Sequence, residues 1–204
     1  MNDRNWEHYY KITKQITSPR KTLLKAIEIF SNGNKASPAK LAIDLGCGSG
    51  TDAIELLKHG WSVLAIDYQP EAISTLLSLC PPSLENRLET KVMPFELLTS
   101  LPRSQLINAS YSLPFLKADK FYLIWNMILN ALHQGDIFSG TFFGINDGWN
   151  GSKNSDMTFF NHKDLSNFLM PFEVAFLEEE ENDKADAMGN IKHWHKYFVV
   201  AKKR

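Results

Sequence analysis

Leu41-Ala42-Ile43-Asp44-Leu45-Gly46-Cys47-Gly48-Ser49-Gly50-Thr51 is the stretch on which the fold turns. Leu41 to Leu45, apolar but for one acid, reads as a buried strand. The glycines at 46, 48 and 50 read as a tight turn, and Thr51 to His59 as a helix stopped by Gly60. Glycine suits such a turn because the backbone bends sharply there. It also lets a ligand approach closer than any Cβ would allow. The N–H groups that open the helix face that ligand and favour anionic or electron-rich groups.

The spacing of the glycines separates two ligands. A dinucleotide loop is G-x-G-x-x-G, with its third glycine at the start of the helix under the pyrophosphate. Here Thr51 stands at that place. Asp44, just ahead of the loop, would repel a pyrophosphate and attract the ammonium of an amino-acid moiety. Acid plus G-x-G-x-G therefore suits S-adenosylmethionine better than NAD. The structural alternative is an ordinary strand-to-helix turn capped by Ser49 or Asp52.

Downstream, strand-like and helix-like runs alternate, as in an α/β domain with a mainly parallel sheet. Ser62 to Asp67, Leu88 to Met93, Gln105 to Ala109 and Ile137 to Gly144 read as strands. Pro70 to Leu79, Lys117 to Leu132 and His162 to Met170 read as helices. Pro81-Pro82 blocks further helix, and Asn146 to Ser155 is a loop. Phe172 to Glu180 and Trp194 to Lys202 are two late strands joined by the polar segment Glu181 to His193. They predict a long antiparallel hairpin at one edge. That ending is a methyltransferase feature rather than a dehydrogenase one. The whole predicts a Rossmann-like α/β fold. Its sheet has seven strands, mainly parallel, with an antiparallel hairpin at one edge and helices on both faces.

Upstream, Trp6 to Gln15 reads as a short helix presenting Trp6, Tyr9 and Tyr10. Lys21 to Phe30 places Leu23, Leu24, Ile27 and Phe30 at helical spacing on one buried face. Ser31-Asn32-Gly33-Asn34 ends that helix, with Gly or Asn able to take the left-handed cap. One domain over 1–204 is expected, with 1–36 a helical lid segment and 37–204 the core.

Bulk properties narrow the partners. A net charge of -1 gives no electrostatic footprint for nucleic acid. Lys202-Lys203-Arg204 reads as a solvated chain end. No apolar run approaches the roughly 20 residues that cross a bilayer, and Met1 to Tyr10 is not a signal peptide. Cys47 and Cys80 form no CxxC pair, which predicts neither a disulfide framework nor a zinc site. Cytoplasmic residence is the default, as a monomer or homodimer.

Three further segments supply candidate binding residues. Asp67 ends the second strand about 20 residues past the glycine loop, where a ribose-binding carboxylate belongs. It is also placed to cap the helix that starts near Pro70. Tyr68 and Gln69 follow it and border ribose or adenine. In Pro94-Phe95-Glu96, Phe95 is positioned to stack on adenine and Glu96 to accept from its exocyclic amine. A packed Phe and a solvated Glu are the alternative. Asn108-Ala109-Ser110-Tyr111 ends the fourth strand and should face the reacting methyl, with Asn108, Ser110 and Tyr111 offering polar atoms to an acceptor. It lacks the prolines of the Asn/Asp-Pro-Pro-Tyr loop of amino-group methyltransferases, so base methylation is not inferred.

Three stretches resemble small bacterial class I methyltransferases near the tellurite-resistance and thiopurine groups. They are Ala42 to Gly50, Trp61 to Asp67 and Ile107 to Phe115, with Lys192-His193-Trp194-His195 near the end. The resemblance implies that Asp44, Gly46, Cys47, Gly48 and Gly50 hold the methionine part of S-adenosylmethionine and Asp67 its ribose. It further implies that Tyr68, Phe95, Glu96 and Asn108 border the cofactor. Arg20 lies where related enzymes bind the cofactor carboxylate. Trp6, Tyr9 and Tyr10 either fold over the cofactor as a lid or pack on the sheet edge.

The expected chemistry is in-line methyl transfer to a small-molecule acceptor. The protein supplies mainly position and a dry pocket. A general base is needed only for an acceptor that loses a proton early. His193 and His195 are the base candidates, two apart on one strand face with Trp194 on the other; Tyr111 and Asn108 are the other catalytic candidates. Two histidines without a third ligand do not specify a metal, and none is expected. His133 and His162 read as caps or surface groups. The rival readings are a non-catalytic S-adenosylmethionine-binding protein, a methyltransferase of protein or nucleic acid, and an NAD-dependent oxidoreductase.

Overall fold

In the computed structural model, the described residues are 18–33, 40–151, 156–186 and 188–204. The helix expected over Trp6 to Gln15, and the lid formed by Trp6, Tyr9 and Tyr10, lie outside them.

The apolar runs become strands and the helix-period runs become helices, in the expected order. The elements are α1 (Lys21–Gly33), β1 (Leu41–Leu45), α2 (Thr51–Lys58), β2 (Ser62–Asp67), α3 (Pro70–Leu79) and β3 (Leu88–Val92). There follow β4 (Leu106–Ala109), α4 (Ala118–Ala131), β5 (Ile137–Gly144), β6 (Phe159–Phe160), α5 (His162–Phe168), β7 (Phe172–Ala185) and β8 (Ile191–Lys203). The sheet order is β3-β2-β1-β4-β5-β8-β7. β1 to β5 run parallel, and β8 lies antiparallel to both β5 and β7. The order reverses between β1 and β4, and in open α/β sheets ligands bind at the strand tips beside that reversal.

Neighbouring residues on each strand feed opposite faces, because side chains alternate across a sheet. Ile43, Leu45, Ile107, Phe138 and Phe142 enter one core with Phe121, Trp125 and Ile128 of α4. Trp125 lies 4.9 Å from the ring of Phe138 and 4.3 Å from that of Phe168, which ties α4 and α5 to the sheet. Ala42, Val63, Ala65 and Leu106 enter the other core, with Leu23, Ile27 and Phe30 of α1 and Leu56 and Leu57 of α2. Burial of each such large side chain contributes about 1.5–3 kcal/mol.

Four expectations need correction. Leu24 is 43% exposed, and Thr22 and Ala26 complete the buried stripe of α1 instead. The stripe follows Leu23, Ala26, Ile27 and Phe30, which leaves Leu24 on the far side. Gly33, the last residue of α1, has no left-handed backbone, and Asn34, the other candidate for that cap, lies outside the described residues. A two-residue strand, β6, adds to the edge of β5 and makes eight strands in the sheet; it is too short to leave a periodic signal. Most of the polar segment Glu181 to His193 is paired strand, with Ala185 opposite Ile191. This arm carries mostly exposed polar side chains and so no core-facing alternation. It is held by cross-strand partners instead: His193 bonds Asp183 at 2.8 Å and Glu181 at 3.1 Å.

Candidate functional site

Gly46, Gly48 and Gly50 all adopt left-handed φ, of 73, 53 and 86°. A Cβ on Gly46 would lie 2.4 Å from that of Ser112, and one on Gly50 would lie 2.2 Å from Leu76 Cδ1. Conformation and space thus both require glycine. The Gly46 and Cys47 amides donate to the Ile66 carbonyl at 2.8 and 3.1 Å. Gly50 is the N-cap of α2 and no side chain caps it, so neither Ser49 nor Asp52 plays that part. Cys47 is buried, which pushes its thiol pKa well up and leaves it unreactive.

Asp67 sits at the tip of β2, with Oδ2 accepting from the Gly48 amide at 2.9 Å and Oδ1 from the Gln69 amide at 3.0 Å. It does not cap α3, whose N-cap Gln69 has no side-chain bond. The second-strand acid is therefore tied to the glycine loop itself. Tyr68 beside it is exposed. Phe95 opens a short 3-10 turn, and its Cζ lies 3.6 Å from where a Gly46 Cβ would be. Glu96 is exposed next to it.

A polar row crosses three strands on the α1 face of the sheet. Asp44 is in register with Asn108, and Asn108 with Ser139. Asn108 Nδ2 donates to Asp44 Oδ1 at 2.9 Å and to Asp52 Oδ2 at 3.0 Å. Its Oδ1 accepts from Ser110 Oγ at 3.0 Å and Ser139 Oγ at 2.8 Å. The amide of Asn108, read from sequence as a catalytic candidate facing the acceptor, is spent inside this network and the residue is 1% exposed. It connects; it does not project.

Asp52 was not singled out as a binding residue from sequence. Its only signal is an acid two positions after the last glycine. It is buried, and Oδ1 accepts from the Arg20 amide at 2.9 Å. Burial is the main reason its pKa rises, opposed by the Arg20 amide and guanidinium. Asp44 is pushed up to about 8, first by burial, then by Asp52, with the Asn108 amide opposing and Asp67 adding to the rise. Asp44 Oδ2 is buried and accepts no hydrogen bond. The Ala53 amide, in the first turn of α2, also favours the Asp44 charge, but less than the Asn108 amide does.

Arg20 places its guanidinium over the Tyr111 ring, 4.8 Å from the centroid. Tyr111 has φ of 54°, a left-handed backbone that a bulky residue rarely adopts. Burial raises the pKa of its hydroxyl, which keeps it neutral. Its ring meets Phe143 and Phe198 edge-on at 6.4 and 6.3 Å. Phe143 in turn meets Phe115, Trp149 and Trp194. The Lys192 ammonium lies 3.7 Å from both indole rings and pairs with Asp147. This aromatic wall was missed in the sequence because Trp149 hides in a Gly- and Asn-rich loop.

His193 and His195 do share one strand face, opposite Trp194. Their ring bonds, however, go to acids of the hairpin and to a loop amide, not to the Asp44 cluster. His195 Nε2 meets Glu179 Oε1 at 2.8 Å, and its Nδ1 faces the Asn146 amide at 3.1 Å. Among the described residues, Glu179, Glu181 and His195 bring ligand-type atoms within 4.8 Å of one another. The Asn146 N–H requires Nδ1 to be the acceptor, so Nε2 carries the hydrogen. A histidine that binds metal through Nε2 needs the opposite arrangement.

A separate cavity of about 670 Å³ lies beside α4, β6 and α5, lined by Tyr122, Ile145, Asn150, Phe159, Asp164 and Phe168. No helix among the described residues is long and apolar enough to cross a membrane.

The reversed strand order, the antiparallel final pair and the glycine loop after β1 define the class I S-adenosylmethionine-dependent methyltransferase fold. More narrowly, the chain belongs to the tellurite resistance protein TehB family, whose sequence pattern matches residues 4–138. Among solved structures, TehB from Haemophilus influenzae superposes with a TM-score of 0.72 at 16% identity. The match covers 95% of this chain and 66% of that one. An N1-methyltransferase of 1,6-didemethyltoxoflavin from Burkholderia thailandensis, solved with that compound and S-adenosylhomocysteine, matches with a TM-score of 0.66 at 16% identity. There the coverage is 97% of this chain and 85% of that one. A S-adenosylmethionine-dependent methyltransferase from Methanosarcina mazei gives 0.61 at 20% identity, over 82% and 94%. No curated protein matches the chain.

Proposed function

We propose that this chain is an enzyme that transfers a methyl group from S-adenosylmethionine to a small-molecule acceptor, with residues 1–204 acting as one domain. The observation that carries the reading is Asp44 Oδ2, buried without a partner beside a glycine loop that no side chain can fill. An ammonium satisfies that atom; a pyrophosphate does not.

The residues present fit the donor. Asp44 takes its ammonium, with Gly46, Cys47, Gly48 and Gly50 around the methionine chain. Arg20 faces its carboxylate, Asp67 its ribose hydroxyls, and Tyr68, Phe95 and Glu96 its adenine. When bound, the donor supplies a sulfonium-activated methyl that an acceptor nucleophile displaces in line. The chain positions the reactants and excludes water, which lowers the barrier by removing rotational and translational freedom beforehand. The Tyr111 hydroxyl, kept protonated, orients the acceptor, and the aromatic wall behind it bounds the acceptor's space. No general base is assigned, since the bonds of His193 and His195 lie within the hairpin and its adjoining loop. A net charge of -1 favours a small acceptor over nucleic acid. The reading also takes the protein as cytoplasmic, and as a monomer or homodimer.

Titration calorimetry with S-adenosylmethionine, together with radiolabel transfer to pools of small molecules, tests this. Donor binding is expected, weakened about tenfold or more (~1.4 kcal/mol) in Asp67→Ala. Binding without transfer to any pool favours a non-catalytic cofactor-binding protein. A chain blind to the donor at millimolar concentration refutes the proposal.

A further inference from the structure

Asp44 and Asp52 stand on different elements, β1 and α2, yet hang from one nitrogen. Asn108 Nδ2 has two hydrogens, and each carboxylate takes one, at 2.9 and 3.0 Å. The acids are 2% and 8% exposed. Two carboxylates this deep and this close cannot both ionise cheaply, because each loses its hydration and repels the other. The surrounding groups do not cancel that cost. Asp67 adds negative charge on the side of β2, and Glu55 adds more beside Asp52 on α2. The Cys47 thiol and the Tyr111 hydroxyl stay neutral. Arg20 supplies positive charge to one member of the pair, acting on Asp52 through both its amide and its guanidinium. Arg20 thus favours the charge on Asp52 over Asp44, whose Oδ2 is buried without a hydrogen-bond partner.

Resting on the donor-binding reading above, we propose that Asp44 and Asp52 form one carboxylate pair. The pair holds a single proton in the free protein and expels it when the donor's ammonium docks on Asp44. The Asp44 O–H bond breaks, its proton passes to solvent, and the ammonium N–H takes its place; no electrons change hands. Asp52 and Asn108 are positioning residues, holding the second charge and the spacing. Donor affinity then rises with pH, up to tenfold per pH unit while one proton is released per ligand. Below pH 7 the donor's own amine, with a pKa near ~8, stays charged and does not blur the count.

Calorimetry of S-adenosylhomocysteine at pH 6.5, in buffers of differing ionisation enthalpy, counts the proton. The wild type is expected to release about one per ligand. Asp44→Asn, which mimics the protonated acid, is expected to bind more weakly and release none. Asp52→Asn is expected to bind and release less than half. An infrared band of protonated carboxyl is expected in the free wild type, lost on ligand addition and weaker in free Asp44→Asn. Binding without proton release, an unchanged count in either variant, or no such band in the free protein overturns the pair. Absence of any binding instead takes down the donor reading on which the pair rests, and the pair with it.

Discussion

The backbone N–H of Asn146 donates to Nδ1 of His195 at 3.1 Å, and that contact decides which nitrogen of the ring carries the hydrogen. With Nδ1 accepting, Nε2 donates to Glu179 at 2.8 Å. Asp147 strengthens the same junction. It is 2% exposed, and its carboxylate accepts from the His195 amide at 3.1 Å and the Trp149 amide at 3.0 Å. The loop after β5 is thereby clamped to the start of β8, which sets Trp149 against Trp194.

The tautomer bears on metals. Millimolar zinc is expected to leave the melting temperature unchanged, and a chelator likewise. A ligand bound at a hundred times its Kd stabilises by about 2.7 kcal/mol. For a chain of this size that shifts the midpoint by several degrees. A shift of that kind, abolished in His195→Gln, would show that the Asn146 bond yields to a metal.

Gly144 packs directly under the His195 ring of the same clamp. A Cβ there would lie 2.2 Å from the His195 ring, and the ring has no room to retreat because it is 3% exposed. Gly144→Ala is expected to cost about 2–3 kcal/mol in urea denaturation, through overpacking. In Gly144→Ala/His195→Ala the clash term vanishes, so the double variant is expected to lose less than the sum of the singles.

Asp44 makes the free protein less stable as pH rises. Burial beside Asp52 raises its folded pKa to about 8, from the 3.8 ordinary for an aspartate. Below about pH 4 both states hold the proton and the group has no effect. Between about 4 and 8 the unfolded chain releases the proton while the folded chain keeps it, so stability declines across that window and levels above it. Asp44→Asn is expected to flatten this contribution. Urea midpoints at pH 5, 6.5 and 8 check it: the variant should gain on the wild type with each step upward.

Tyr111 separates fold from chemistry. Tyr111→Phe keeps the ring contacts with Phe143 and Phe198 and the Arg20 guanidinium above it. It is expected to retain stability within about 0.5 kcal/mol and donor affinity within twofold. Methyl transfer should fall by about tenfold in kcat/KM, or ~1.4 kcal/mol of transition-state stabilisation. Equal rates for the two proteins would remove the hydroxyl from the mechanism.

The strands and helices around the glycine loop were legible because each is buried in a simple way. β1, β2 and β5 are covered on both faces and read as continuous apolar runs. Gly46, Gly48 and Gly50 were legible because their backbone leaves no other residue a place. The arm of β7 and β8 beyond the sheet was misjudged because it buries little, and its strand pairing rests on polar partners such as His193 and Asp183.

Sequence alone determined the order of elements, the turn after β1 and the two acids at the tips of β1 and β2, since each follows from local backbone and burial rules. Only the tertiary structure decided that Asn108 is a connector, that Asp52 joins Asp44, and that the histidines of β8 pair within the hairpin and its adjoining loop. Those outcomes depend on register between strands far apart in the chain, as in Asp44 opposite Asn108. A side chain's partner across a sheet is set by that register and leaves no mark on its own neighbours in sequence.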